Sequence, residues 1–166
     1  KTKGITYQKH MTHHIIDSNL NWIDPLCNCF LIRNPKLVVS SFMKSWEIGE
    51  FEDIGFSQQY SIFKYVINNL NSNPIVIDAS SLRNNPKKIL SKICKILNIK
   101  WDNNMLEWSS GLKTYDGIWA EHWYSSVMNS TQFKKEKPKE INLSNDEKII
   151  VDKAMPIYEE LYEYCI

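Results

Sequence analysis

Phe30-Leu-Ile-Arg-Asn-Pro-Lys-Leu-Val-Val-Ser-Ser41 is the stretch that decides how this chain folds. Residues 26–32 (LCNCFLI) are almost continuously apolar, the pattern of a strand buried on both faces of a sheet that helices cover. Asn34-Pro35 follows at once and supplies a helix N-cap and a proline at the first helical position. Leu37, Val38, Ser41 and Phe42 then recur at helical spacing, so strand passes into helix within about two residues. Such a junction favours an anion, because first-turn N–H groups and the helix dipole point at it. Arg33 stands at the strand exit, where a planar guanidinium can grip phosphate oxygens through two parallel hydrogen bonds. Ser41 lies two turns into the helix, with a hydroxyl available to the same anion if the helix packs back along the sheet. The residues alone equally allow Arg33 to pair with a carboxylate and Ser41 to be a small packing residue.

Working outward, residues 47–55 are acidic and punctuated by glycine, which predicts a loop. Ser57 then caps a helix with Ile62, Phe63, Val66, Ile67 and Leu70 on one face, and Asn71-Ser-Asn-Pro74 ends it. Ile75-Val-Ile-Asp-Ala79 reads as a second buried strand, and after Asn84-Asn-Pro86 a helical face runs through Ile89, Leu90, Ile93, Ile96 and Leu97. On the amino side, residues 4–9 carry β-branched and aromatic side chains and read as a short strand. Strands alternating with amphipathic helices predict an α/β fold, a three-layer α/β/α arrangement of parallel strands with ligands outside their carboxyl ends. Residues 101–133 lack periodicity and predict loop and short helix. Residues 134–143 read as a charged linker, and the capping box Ser144-Asn-Asp-Glu147 opens a terminal helix over 144–165 with Ile150, Ala154, Ile157 and Leu161 inward. Tyr158, Tyr162 and Tyr164 on that helix read as packing and surface residues.

A chain of 166 residues with 43% apolar side chains suits a single domain, 1–166, around one core. A formal charge of +1 argues against a nucleic-acid or membrane footprint, so an anion site must be made by a few placed groups. No apolar run approaches the roughly 18 residues of a membrane span. Cys27, Cys29, Cys94 and Cys165 show no C-x-x-C pair and no disulfide-scaffold spacing, which points to a reducing, cytoplasmic setting. Cys27 and Cys29, two apart in a strand, point to the same face and are expected in the core. The chain opens without Met on charged residues that lead straight into a strand-like run, as the middle of a longer protein would. Oligomeric state is not legible.

The opening stretch resembles the 3′-phosphate-binding segment of the sulfotransferases, which pairs a strand-end Arg with a helical Ser at this separation. Arg33 and Ser41 are the matching positions, and Asn34 replaces the family's usual Asp while keeping the capping role. Residues 78–99 (DASSLRNNPKKILSKICKILNI) are similar to the strand, loop and helix that follow in that family, with Ala79 where many cytosolic members have Tyr near the adenine. Tyr7-Gln-Lys-His-Met-Thr-His-His14, Asp116-Gly-Ile-Trp-Ala-Glu-His-Trp-Tyr124 and Ser130-Thr-Gln-Phe133 look like blocks of a bacterial sulfotransferase-like subfamily, in the same order. The resemblance implies the sulfotransferase version of the P-loop nucleotide-binding fold. It also implies 3′-phosphoadenosine 5′-phosphosulfate as sulfonate donor, with a small-molecule hydroxyl or amine as acceptor. The family's glycine-containing phosphate loop has no counterpart here: none of the five glycines lies in G-x-x-x-x-G-K-S/T or a looser equivalent. The chain therefore reads as N-terminally incomplete and, as this fragment, a poor binder of the donor.

Sulfonate transfer needs a base for the acceptor's proton and positive charge over the sulfonate oxygens. Lys9, His10, His13 and His14 are the right types, with Lys9-His10-Met11 standing where many sulfotransferases have Lys-Thr-His. The histidines read equally as a surface group at a helix start; a metal role lacks an Asp or Glu ligand at fixed spacing. In residues 116–124, Gly117 permits close approach to a ligand that Trp119, His122 and Trp123 could cover, or the same aromatics latch a loop to the core. The acceptor pocket is expected in a variable loop such as residues 46–56. Two rivals stand beside the enzyme: a non-catalytic remnant or interaction module of the same fold, and a phosphate-loop kinase for which Asp78 is the one visible magnesium ligand.

Overall fold

The structure is a computed structural model that describes residues 4–15, 19–70, 73–114, 116–117, 125–136 and 140–166. The chain divides into two compact units, Lys1–Val76 with Glu140–Cys165, and Ile77–Lys139 with Ile166. Helices and a small two-stranded parallel sheet make the fold α/β.

In the first unit, β1 (Cys29–Ile32) pairs with β2 (Ile75–Asp78), whose first residue donates its N–H to the Asn28 carbonyl at 3.2 Å. Val76 also bridges in parallel to Cys165, so the chain terminus returns to β2. β1 alternates: Phe30 and Ile32 are buried, whereas Cys29 and Leu31 are exposed, Leu31 by 57%. The expectation of a strand covered on both faces is thus corrected, and so is the placing of Cys27 and Cys29 in the core, since both are exposed. An apolar run reports that a strand can be buried, not which of its faces finds a neighbour. The buried face meets α2 (Phe56–Leu70), with the Phe30 and Phe63 rings edge to face at 5.5 Å. Ile62, Phe63, Val66, Val76 and Leu161 complete that core.

α1 (Pro35–Phe42) follows the sequence expectation: Asn34 caps it, Pro35 fills its first position, and Val39 is fully buried. The terminal helix Asn145–Tyr162 opens on the expected capping box and buries Val151, Ala154 and Leu161. It stops at Tyr162 rather than 165, which frees Cys165 for the bridge to Val76. Residues 4–9 form no strand; Ile5 and Tyr7 are 74% and 84% exposed, and strand composition without a neighbouring ladder leaves an extended segment. The stretch expected as a loop contains a 3-10 turn, Phe51–Ile54, held by a Glu50–Asp53 capping box and closed by Gly55 in the left-handed conformation. α2 starts at Phe56, immediately after that glycine, so Ser57 lies within the helix instead of capping it.

In the second unit α3 (Ala79–Asn84) starts where a strand residue was expected, because the Asp78 carboxylate accepts the Ser81 N–H at 2.7 Å and caps it. α4 (Pro86–Ile96) follows after Asn85 and buries Ile89 and Cys94. Beyond it lie a 3-10 turn, Asn103–Met105, a short helix, Ser125–Met128, and a single antiparallel bridge, Glu107 to Gln132, in line with loop and short helix. Trp108 donates its indole N–H to Ser130 Oγ at 3.2 Å and meets Phe133 edge to face. The start of the expected linker is pinned: Glu136 accepts from the Ser80 hydroxyl and pairs with Arg83 at 3.4 Å, and Lys134 O accepts from Arg83 Nε at 3.1 Å.

Candidate functional site

The β1–α1 junction puts Arg33, half-buried, directly after the strand. Asn34 then consumes the donors of the first helical turn. Its side chain accepts from Lys36 N–H at 3.0 Å and its carbonyl from Leu37 and Val38 N–H at 2.9 and 3.1 Å, while Pro35 has no N–H to give. The helix end keeps its dipole, but its hydrogen bonds are spoken for, so an anion here is gripped chiefly by side chains. Ser41 is exposed and lies in the last turn of α1, about 9 Å of helical rise from Pro35. A phosphate and a long guanidinium side chain have to cover that span for Arg33 and Ser41 to act on one ligand.

Lys9 and His10 sit on the exposed extended segment, where His10 Nε2 lies 3.4 Å from Gln8 Oε1 and its ring tilts against Trp22 at 5.0 Å. His13 and His14 are brought together on a 3-10 turn, Thr12–His14, with ring centroids 4.1 Å apart. His13 is half-buried and His14 exposed. Burial, then the neighbouring His14, pushes the His13 imidazole below its ordinary value, against a smaller opposing pull from Asp53. A neutral imidazole has an open ring nitrogen, the state a proton acceptor needs.

All six of these positions belong to the first unit. Gly117 belongs to the second, half-buried beside Asp116, whose carboxylate accepts the Lys113 N–H at 2.7 Å. Trp119, His122 and Trp123 lie outside the described residues. Asp78 is buried and engaged in capping α3, not exposed at a strand end for magnesium. Among the described residues no three His, Cys, Asp or Glu converge as metal ligands. No helix there is long and apolar enough to cross a membrane. Sequence reasoning passed over Thr12, Asp53 and Gly55, which frame His13; the capping pattern Glu50-Phe-Glu-Asp53 followed by Gly55 was the available signal.

One α/β unit thus holds an Arg-ended strand feeding a proline-started helix, and a histidine turn beside them in the chain. A sulfotransferase domain model matches residues 1–163, and the chain belongs to that family. It is 34% identical over 133 residues to branched-chain-amino-acid aminotransferase-like protein 1 of Arabidopsis thaliana, and 30% identical to branched-chain-amino-acid aminotransferase-like protein 2 of the same plant. Each match takes in 79% of this chain and 23% of the relative, so the chain spans about a quarter of the length of these proteins. No solved structure matches it.

Proposed function

We propose that this chain is part of a sulfotransferase that moves a sulfonate group from 3′-phosphoadenosine 5′-phosphosulfate to a hydroxyl or amine of a small-molecule acceptor. The observation that carries the reading is the β1–α1 junction, with Arg33 at its exit, in a chain that the family matches over residues 1–163. Arg33 grips the 3′-phosphate and Ser41 adds a hydroxyl from the helix. His13, or the exposed His14 or His10, takes the acceptor's proton as the new bond to sulfur forms. The bond from sulfur to the 5′-phosphate breaks, that phosphate keeps the electron pair, and Lys9 offsets charge on the sulfonate oxygens. Gly117 and Trp119 carry over from the family resemblance as nucleotide-binding positions. A three-layer sheet around one domain and a cytoplasmic setting complete the reading. Because residues 1–166 hold no glycine-rich phosphate loop for the 5′ end of the donor, they bind it weakly by themselves.

Calorimetric titration of 3′-phosphoadenosine 5′-phosphate into the protein at its full natural length tests this. Arg33→Ala is expected to weaken binding about ten- to a hundredfold, the worth of a charge-assisted pair of hydrogen bonds. Binding that ignores Arg33→Ala defeats the site assignment. No binding at all favours the non-catalytic remnant.

A further inference from the structure

A hydrogen bond ties the turn that carries His13 to a residue remote in sequence. Thr12 Oγ1 donates a 2.9 Å hydrogen bond to the carbonyl of Gly55. That oxygen also accepts the Gln59 N–H at 3.0 Å, so it stays satisfied if Thr12 lets go. Gly55 is buried with φ at 74°, and a Cβ there would stand 2.6 Å from Thr12 Oγ1 and 3.1 Å from the His13 nitrogen. The turn therefore rests on the space where a side chain is missing, and glycine is required both for its backbone and for the seat it leaves. The charged and titratable groups bearing on the His13 ring are His14 on its own turn and Asp53 on the facing turn. α2, the other element packed on this turn, carries Lys64, which is paired with Glu160 at 2.9 Å, and the tyrosines Tyr60 and Tyr65. The Asp53 carboxylate is already taken up by the N–H groups of Gly49 and Glu50, each at 2.9 Å.

We propose that Thr12 and Gly55 form a latch that positions the His13 ring, making Thr12 a positioning residue for the proton-accepting side of the site. The latch deepens the sulfonate-transfer reading, on which its catalytic consequence rests, but its effect on His13 does not depend on any donor. With the hydrogen bond made, the ring stays part-buried on a fixed turn. Without it, the turn is held by packing alone and the ring gains water.

The test is an NMR titration of the histidine rings in the whole protein, comparing wild type with Thr12→Val, Thr12→Ser and Gly55→Ala. His13 in the wild type is expected to titrate below about 6.5, the free imidazole value. Thr12→Val, which keeps the shape and removes the donor, moves that midpoint up toward the free value, and Thr12→Ser restores it. Gly55→Ala, pushing from the opposite side, moves it up as well. In the transfer assay Thr12→Val lowers kcat about tenfold or more while leaving KM for the donor unchanged, as misplacement of a reacting group does. A His13 midpoint equal in wild type and a folded Thr12→Val overturns the latch. So does a Thr12→Val chain that unfolds while Gly55→Ala folds with an unmoved midpoint. Failure of the nucleotide titration in the wild type, with the His13 shift still present, removes the transfer reading and leaves the latch standing.

Discussion

At the scale of single residues, burial separates histidines that the sequence leaves equivalent. His10, His13 and His14 sit within five positions, and nothing in their spacing ranks them. The fold ranks them by burial, because His13 is half-buried whereas His10 and His14 are exposed, and loss of water, then His14, drives the His13 imidazole below its ordinary value. That shift has a sign for stability. The folded chain binds a proton at His13 less readily than the unfolded chain does, so unfolding takes up protons once pH drops below about 6.5. Stability from this group is flat above that point and declines as pH falls from there through the folded value. Melting temperatures measured between pH 7.5 and 5 should therefore fall less steeply in His13→Gln than in the wild type. Equal slopes would mean that His13 is as well solvated folded as unfolded. Arg33 differs in kind: its position is legible from the apolar run that ends before it, and the capping of the first turn by Asn34 is legible from the Asn-Pro that follows.

At the scale of elements, legibility tracks how local the cause is. α1 and the terminal helix were readable because a cap, a proline and a 3.6-residue stripe lie within a few positions of one another. The one-sided burial of β1, the extended rather than strand form of segment 4–9 and the exposure of Cys27 and Cys29 depend on which surfaces arrive from elsewhere in the chain, and composition carries no record of that. α3 was missed although its cap, Asp78, was in view, because the residue reads equally well as a strand end. Caps make a sharp prediction here. Ser144→Ala, which removes the oxygen 3.2 Å from Glu147 N–H, should cost about 1 kcal/mol by urea unfolding. A second concerns how α2 is tied to the terminal helix. Glu160 accepts from Tyr60 OH at 2.7 Å and from Lys64 at 2.9 Å, and the Tyr60 bond first, then Lys64, holds its carboxyl below the usual range. A carboxyl with a lowered folded value adds stability above its unfolded value of about 4.3 and loses it as pH falls through the folded one. The melting gap between wild type and Glu160→Gln should accordingly be wide at pH 7 and close toward pH 3. A gap that persists in acid would assign the loss to something other than ionised Glu160.

At the scale of the molecule, the first unit is assembled from two stretches far apart in sequence, 1–76 and 140–165, and this is what no local pattern could announce. The pattern of the terminal helix showed which face is apolar, but not that Leu161 completes a core made by Phe30, Ile32, Phe63 and Val76. Leu161 is wholly buried there, Ala154 closes a second cluster with Phe51 and Phe56, and Cys165 bridges to β2. The proposed anion site depends on this closure, since α1 packs on the same terminal helix and carries Ser41 while β1 delivers Arg33. Leu161→Ala should therefore cost about 2–5 kcal/mol, the range for deleting a buried leucine whose surroundings collapse only in part. Tyr162→Ala, one residue on and 47% exposed, should cost about 0.5 kcal/mol or less. The pair is measured by urea unfolding followed by circular dichroism. A Leu161→Ala midpoint close to that of Tyr162→Ala would show that the two stretches do not share the core that positions Arg33.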